Sequence, residues 1–194
     1  MKLYIKAVAY DRPIQMMNLC GMFLVQTNPN WDLTIMYDGY PPKQVQDIMS
    51  LFADERIHFT HSGTRNGKWG HPNRKFMLQT LEDDKDSYVL LTNDDNMYVP
   101  VFVEAMLSAC KEDVGLVFCD TLHSYIGYSV NKSKLRENFI DMGAFIVRCD
   151  IAKSVGFNHE HFSADGRYAE ECGSYCAKNE IGIRYIDRPL FIHC

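Results

Sequence analysis

Residues Asn93-Asp94-Asp95-Asn96 place two carboxylates and two amides where the apolar run Leu90-Leu91-Thr92 ends. Hard oxygen ligands of this kind suit Mg²⁺ or Mn²⁺, ions that also take phosphate oxygens and so can fasten a diphosphate to a protein. The same residues can equally make a turn and cap the helix that follows. Residues 61–76, HSGTRNGKWGHPNRKF, are rich in glycine and carry Arg65, Lys68, His71, Arg74 and Lys75. They form either a cationic loop able to meet an anion or a flexible polar loop with Arg74 on a solvated face. Asp38-Gly39, followed by Pro41-Pro42, is a strong turn signal in its own right.

The segments that hold these residues alternate in periodicity. Leu3 to Tyr10 is a compact β-forming run, and after Pro13 the apolar spacing of Ile14, Met17, Gly21 and Leu24 changes to that of one helix face. Strands follow at 32–37, 56–60 and 87–92, with helices at 42–52 and 74–81 between them. A further helix near 99–110 and a strand at 114–119 continue the series. Such βαβα order predicts parallel strands joined by right-handed crossovers, in one α/β domain over 1–194. Periodicity is lost over 121–138, which reads as a long loop with aromatic anchors. Beyond it come a strand at 142–148, helices at 150–155 and 168–178, and closing strands at 183–186 and 190–193. Open α/β sheets bind ligands at the carboxyl ends of their strands, so function belongs in the loops after Tyr10, Tyr37, Thr60 and Thr92.

Several of these stretches, in this order, resemble family 2 glycosyltransferases of the GT-A fold. VLLTNDDNMYVP is similar to that family's metal loop, with Asn93 in place of the first carboxylate of D-x-D and Asp95 as the matched metal ligand. VAYDRP resembles the first strand end that meets the nucleotide, which implies roles for Ala9, Tyr10 and Asp11. QTNPNWDLTIMYDGYPP puts Asp38 at the position that contacts uridine, and Arg74 follows as the basic residue near the diphosphate. Asn93 and Asp94 belong to the donor contacts by the same resemblance. DMGAFIVRCDIAKSVGF is similar to the segment in which a glycine, here Gly143, lets the sugar approach the backbone. IRYIDRPLFIHC resembles the last strand, where a late histidine, here His193, joins the metal.

The resemblance implies a three-layer α/β/α sandwich with a mostly parallel sheet. It also implies transfer from a nucleotide sugar, a UDP-sugar, with inversion and with Mn²⁺ or Mg²⁺ as cofactor. An inverting transferase needs a carboxylate to deprotonate the acceptor hydroxyl, and the family draws it from an E-D at the start of a late helix. The matching stretch is FSADGRYAEECGSYC, where Glu171 is the choice by register, Glu170 stands beside it and Asp165 competes. Adjacent glutamates on a helix point roughly 100° apart, so at most one of the pair can face a site, and the pair can also form a solvated acidic face. The other histidines, His58, His61, His123, His159 and His161, show no spacing that suggests a metal site.

Composition narrows the class. A net charge of −5 (20 basic against 25 acidic residues) supplies no field for bulk nucleic-acid binding. The opening residues are too short and too polar for a signal peptide or membrane span. Seven cysteines without a C-x-x-C pair read as reduced, buried thiols, which places the chain in the cytoplasm. A nucleotidyltransferase is disfavoured because AYDRPIQ has no glycine-rich loop, and a nucleotide-sugar binding protein without turnover is the other alternative. The acceptor, whether glycan, lipid, protein or nucleic acid, is not readable from the residues.

Overall fold

The computed structural model describes residues 1–111 and 113–194. The elements among them are β1 (Lys2–Ala9), α1 (Pro13–Leu24), β2 (Trp31–Tyr37), α2 (Lys43–Met49), β3 (Ile57–His61), α3 (His71–Gln79) and β4 (Ser87–Asn93). They continue with β5 (Met97–Tyr98), α4 (Phe102–Ser108), β6 (Val114–His123), β7 (Ser129–Asn131), β8 (Phe145–Arg148), α5 (Cys149–Val155), α6 (Ala164–Lys178) and β9 (Gly182–His193).

Local sequence explains the first half. Pro13 opens α1, its fixed φ already helical. Met16, Leu19, Cys20 and Phe23, spaced by three and four, form the buried stripe. Full burial of such side chains stabilises the packing by about 1.5–3 kcal/mol each. β4 is buried continuously from Ser87 to Thr92, as a strand covered on both faces must be. α1 packs on α2, while α3, α5 and α6 pack in series, giving helical layers to either side of the sheet.

The strands form one sheet in the order β3-β2-β1-β4-β8-β6-β9-β5, with β7 hydrogen-bonded to β6. β3, β2, β1 and β4 are mutually parallel, and β6 is parallel to β9. β8 runs antiparallel to both its neighbours, and the short β5 and β7 are antiparallel additions. The three-layer α/β/α sandwich with a mostly parallel sheet is present, with β8 as its internal exception. β8 emerges from a 3₁₀ turn at Met142–Ala144 instead of a crossover helix, and an antiparallel pair needs no crossover.

Three features depart from the expected elements. β6 runs on to His123 and pairs with β7 as a hairpin, so the first part of the expected loop holds two short strand segments, 121–123 and 129–131. Its side chains past Thr121 are increasingly exposed and show no apolar alternation. The two closing strands are one, β9, which crosses Pro189 through a register shift opposite Asp120. Proline cannot donate to the ladder, and the bulge absorbs the missing hydrogen bond. Finally, α6 begins at Ala164, one turn before the expected 168.

Candidate active site

The carboxyl ends of β1, β2 and β4 are stitched together by main-chain bonds. Asp38 N–H donates to Ala9 O at 2.8 Å, and Asp94 N–H donates to Val8 O at 3.1 Å. Tyr10 N–H donates to Asp94 Oδ2 at 3.3 Å. Above these ends opens a cleft of about 1120 Å³. Of the residues expected from sequence, Ala9, Tyr10, Asp11, Asp38, Arg74, Asn93, Asp95 and His193 line it.

Asp38 fastens the loop that forms one wall. Its Oδ1 accepts from Asn66 N–H at 2.8 Å and from Asn73 Nδ2 at 3.0 Å, and its Oδ2 accepts from Gly67 N–H at 2.9 Å. The loop then lies directly on the end of β1 at Gly70, where φ is +80° and a Cβ would stand 2.7 Å from Val8 Cγ2. Only glycine meets both conditions. Lys68 and Trp69, both at positive φ, carry the loop over the rim.

Arg74 is buried and fixed by three acceptors. Nη1 donates to Trp69 O at 2.6 Å and to His71 Nδ1 at 3.0 Å, and Nη2 donates to Asn93 Oδ1. Burial lowers its pKa to about 10, which leaves it cationic at neutral pH. His71 Nε2–H donates to His161 O at 3.1 Å, so both ring nitrogens are committed to one neutral tautomer. Burial and the Arg74 charge push its pKa down to about 4. Sequence placed Arg74 here, but His71 as its orienting partner went unread.

Asp94 lies beneath the cleft floor and Asp95 faces it. Burial raises the Asp94 carboxyl to about 7 against the opposing pull of Arg12. Arg12 Nη2 is 3.1 Å from Asp94 Oδ1 at ion-pair distance without hydrogen-bond alignment, and Nη1 bonds Asp95 Oδ2. Asp94 Oδ1 and Asp95 Oδ1 are buried without hydrogen-bond partners. A carboxylate oxygen orphaned at a cleft floor fits a hard divalent cation, so Asp95 suits Mn²⁺ or Mg²⁺. Arg12, Arg65, Lys68 and Arg74 line the cleft together with Asp11, Asp38, Asp95, Asp141 and Asp165, and of the four cations Arg12 pairs with Asp95 and Lys68 with Glu160. The Arg65 guanidinium sits 3.9 Å from the centroid of the Tyr10 ring.

On the opposite wall, the residues expected as base and sugar contact lie away from the cleft. Glu170 and Glu171 stand two turns into α6 and do not line the cleft. Glu171 Oε1 accepts from His159 Nε2 at 2.8 Å and from Arg167 Nε at 3.3 Å, and Glu170 lies 3.5 Å from Arg167 Nη1. Because α6 starts at Ala164, the acid at its start is Asp165, which lines the cleft. Burial raises the Asp165 pKa above the usual carboxylate value, with the nearby Asp141 adding to the shift. Gly143 does not line the cleft either. A Cβ there would meet Phe191 at 2.4 Å and the Tyr98 hydroxyl at 2.6 Å, so its smallness serves interior packing.

His193 reaches the cleft at the end of β9 and bonds Asp141 Oδ1 through Nδ1 at 3.1 Å. That bond raises its pKa. His123, at the end of β6, also lines the cleft and faces Asp141, contrary to its dismissal on sequence spacing. Six cysteines are buried free thiols, whereas Cys194 is exposed. Among the described residues, no helix is long and apolar enough to cross a membrane.

The fold is that of GT-A-like glycosyltransferases. S. aureus TarS 1–349 has a TM-score of 0.77 at 13% identity, over 99% of this chain and 60% of that one. Its complex with UDP-GlcNAc has a TM-score of 0.77 at 14% identity, over 100% and 58%. The mannosyltransferase PcManGT from Pyrobaculum calidifontis, in complex with GDP-Man and Mn²⁺, has a TM-score of 0.72 at 10% identity, over 99% and 56%. At these identities the likeness concerns the fold, and the chain spans about 60% of TarS 1–349 and 36% of the longer TarS chain. No family model and no curated protein matches the sequence.

Proposed function

We propose that this chain is a metal-dependent glycosyltransferase that moves a sugar from a UDP-sugar to a hydroxyl acceptor with inversion. The observation that carries the proposal is the meeting, in one cleft, of four basic side chains, the orphaned oxygen of Asp95 and the raised carboxyl of Asp165. Complexes of fold neighbours with UDP-GlcNAc and with GDP-Man and Mn²⁺ support the donor class.

Each residue has a distinct task. Ala9, Tyr10, Asp11 and the loop fastened by Asp38 receive the nucleotide at the ends of β1 and β2. Arg74, held rigid by Asn93, Trp69 and His71, presents fixed positive charge to the diphosphate and loses no side-chain freedom in doing so. When bound, Mn²⁺ or Mg²⁺ supplies further neutralisation of the departing diphosphate, and Asp95 and His193 are the residues that would hold it. Asp165 takes the proton from the acceptor hydroxyl, and its raised pKa makes it a stronger base than a solvated aspartate. A single base on the wall facing the donor suits direct displacement.

Calorimetric titration with UDP, and separately GDP, in Mn²⁺ and then in chelator tests the donor class. UDP is expected to bind, and to bind far more weakly once Mn²⁺ is removed. Failure of both nucleotides to bind overturns the proposal.

A further inference from the structure

His123, Asp141 and His193 come from three distant parts of the chain: the end of β6, the segment before the Met142–Ala144 turn, and the end of β9. Their ligating atoms all lie within 4.8 Å of one another. His123 Nε2 is 3.1 Å from Asp141 Oδ2, and His193 Nδ1 is 3.1 Å from Asp141 Oδ1. The first of these contacts lacks hydrogen-bond alignment: His123 Nε2 and Asp141 Oδ2 are both buried polar atoms without a hydrogen-bond partner. Two orphaned atoms facing each other across 3.1 Å are an unusual cost for a native structure, and an ion between them would satisfy both. On its other side, His123 Nδ1 is hydrogen-bonded to the Tyr125 hydroxyl, the kind of outer bond that orients a metal-binding imidazole. Ligands around an ion held at ~2.1 Å stand roughly 3–3.5 Å apart, so the trio needs little movement to close on one.

We infer that His123, Asp141 and His193 form a divalent-cation centre that loads without nucleotide. Two imidazoles and one carboxylate favour Mn²⁺, Co²⁺ or Zn²⁺ over Mg²⁺. The trio leaves coordination positions open toward the cleft that all three residues line. Among the described residues no such three-residue group includes Asp95, so the trio does not depend on the floor carboxylates that Arg12 engages. It shares His193 with the metal role proposed above but does not need nucleotide transfer to be correct.

Mn²⁺ titrated into chelator-treated, nucleotide-free full chain tests the inference, read by loss of the free-ion paramagnetic resonance signal. Mn²⁺ is the probe because the exposed Cys194 thiol prefers softer ions. One ion per chain is expected, with Mg²⁺ a poor competitor. His123→Gln, Asp141→Asn and His193→Gln should each lose that step, while Asp95→Asn keeps it. Because a variant can fail to fold, the wild-type imidazole resonances provide a second reading: Mn²⁺ should broaden those of His123 and His193 before those of His58 and His61. Absence of Mn²⁺ binding, retention of it in His123→Gln, or its loss in Asp95→Asn alone would overturn the inference. UDP binding stays a separate measurement, so a transferase without this centre and a cation centre without transferase activity give different results.

Discussion

The two halves of the sheet contribute to one cleft by different means. The parallel half, β3-β2-β1-β4, delivers Tyr10, Asp38, Asn93 and Asp95 from strand ends tied to one another by main-chain bonds. The mixed half, β8-β6-β9 with β7, delivers His123, Asp141 and His193 from a hairpin, a 3₁₀ turn and a bulged strand. The first wall is therefore built on the ends of successive parallel strands, whereas the facing wall is held by side-chain contacts such as His193–Asp141. A wall of the first kind is rigid by construction. A wall of the second kind can change its chemistry without disturbing the first.

Substitutions on the second wall should therefore separate turnover from nucleotide binding. Asp165→Asn has the largest expected effect, a fall of roughly 10²–10⁴-fold in turnover with UDP affinity unchanged. Because burial raises the Asp165 pKa, wild-type turnover should climb as pH passes through that raised value and then level off. The variant should lack this rising limb in a pH–rate profile. Loss of UDP binding in Asp165→Asn would join the two walls and break the comparison. Gly143→Ala comes next: its new methyl meets Phe191 and Tyr98, and thermal unfolding should show a loss of about 1–3 kcal/mol with UDP binding preserved. A selective loss of sugar transfer at unchanged stability would instead return Gly143 to the donor site. Glu171→Gln should do least, leaving turnover at the wild-type level and costing under ~1 kcal/mol, since its partners are His159 and Arg167 near the surface. A large fall in turnover there would put α6 in a different register against the cleft.

The same division governs how much could be read from sequence. β1 to β4 were legible because each strand and helix carries its own periodicity, and the positions of Asp38, Asn93 and Asp95 follow from strand ends, while Arg74 lies in the first turn of α3. The start of α6 was hard to read because Gly166 interrupts its apolar spacing and hides its first turn, where Asp165, the competitor to Glu170 and Glu171, stands. Gly143 carried a glycine's freedom in sequence, yet its position is set by an aromatic ring from β9 that no local pattern reveals. His123 and Asp141 were invisible for a related reason. The hairpin that carries His123 is largely exposed, and its position is set by Asp120, buried at the bulge, which accepts from Lys132, Ser133 N–H and Tyr185.

Arg12 has a consequence for charge accounting in the cleft. With one guanidinium spanning Asp94 and Asp95, the floor holds a positive charge of its own. A divalent ion held by Asp95 would meet Oδ1, the oxygen that Arg12 leaves without a partner, and would stand beside the guanidinium that holds Oδ2. The Arg12 side chain is itself a cleft-lining cation, 41% exposed. Because Arg12 both pairs with the floor and lines the cleft, an anion entering the cleft would meet positive charge before any metal ion were bound.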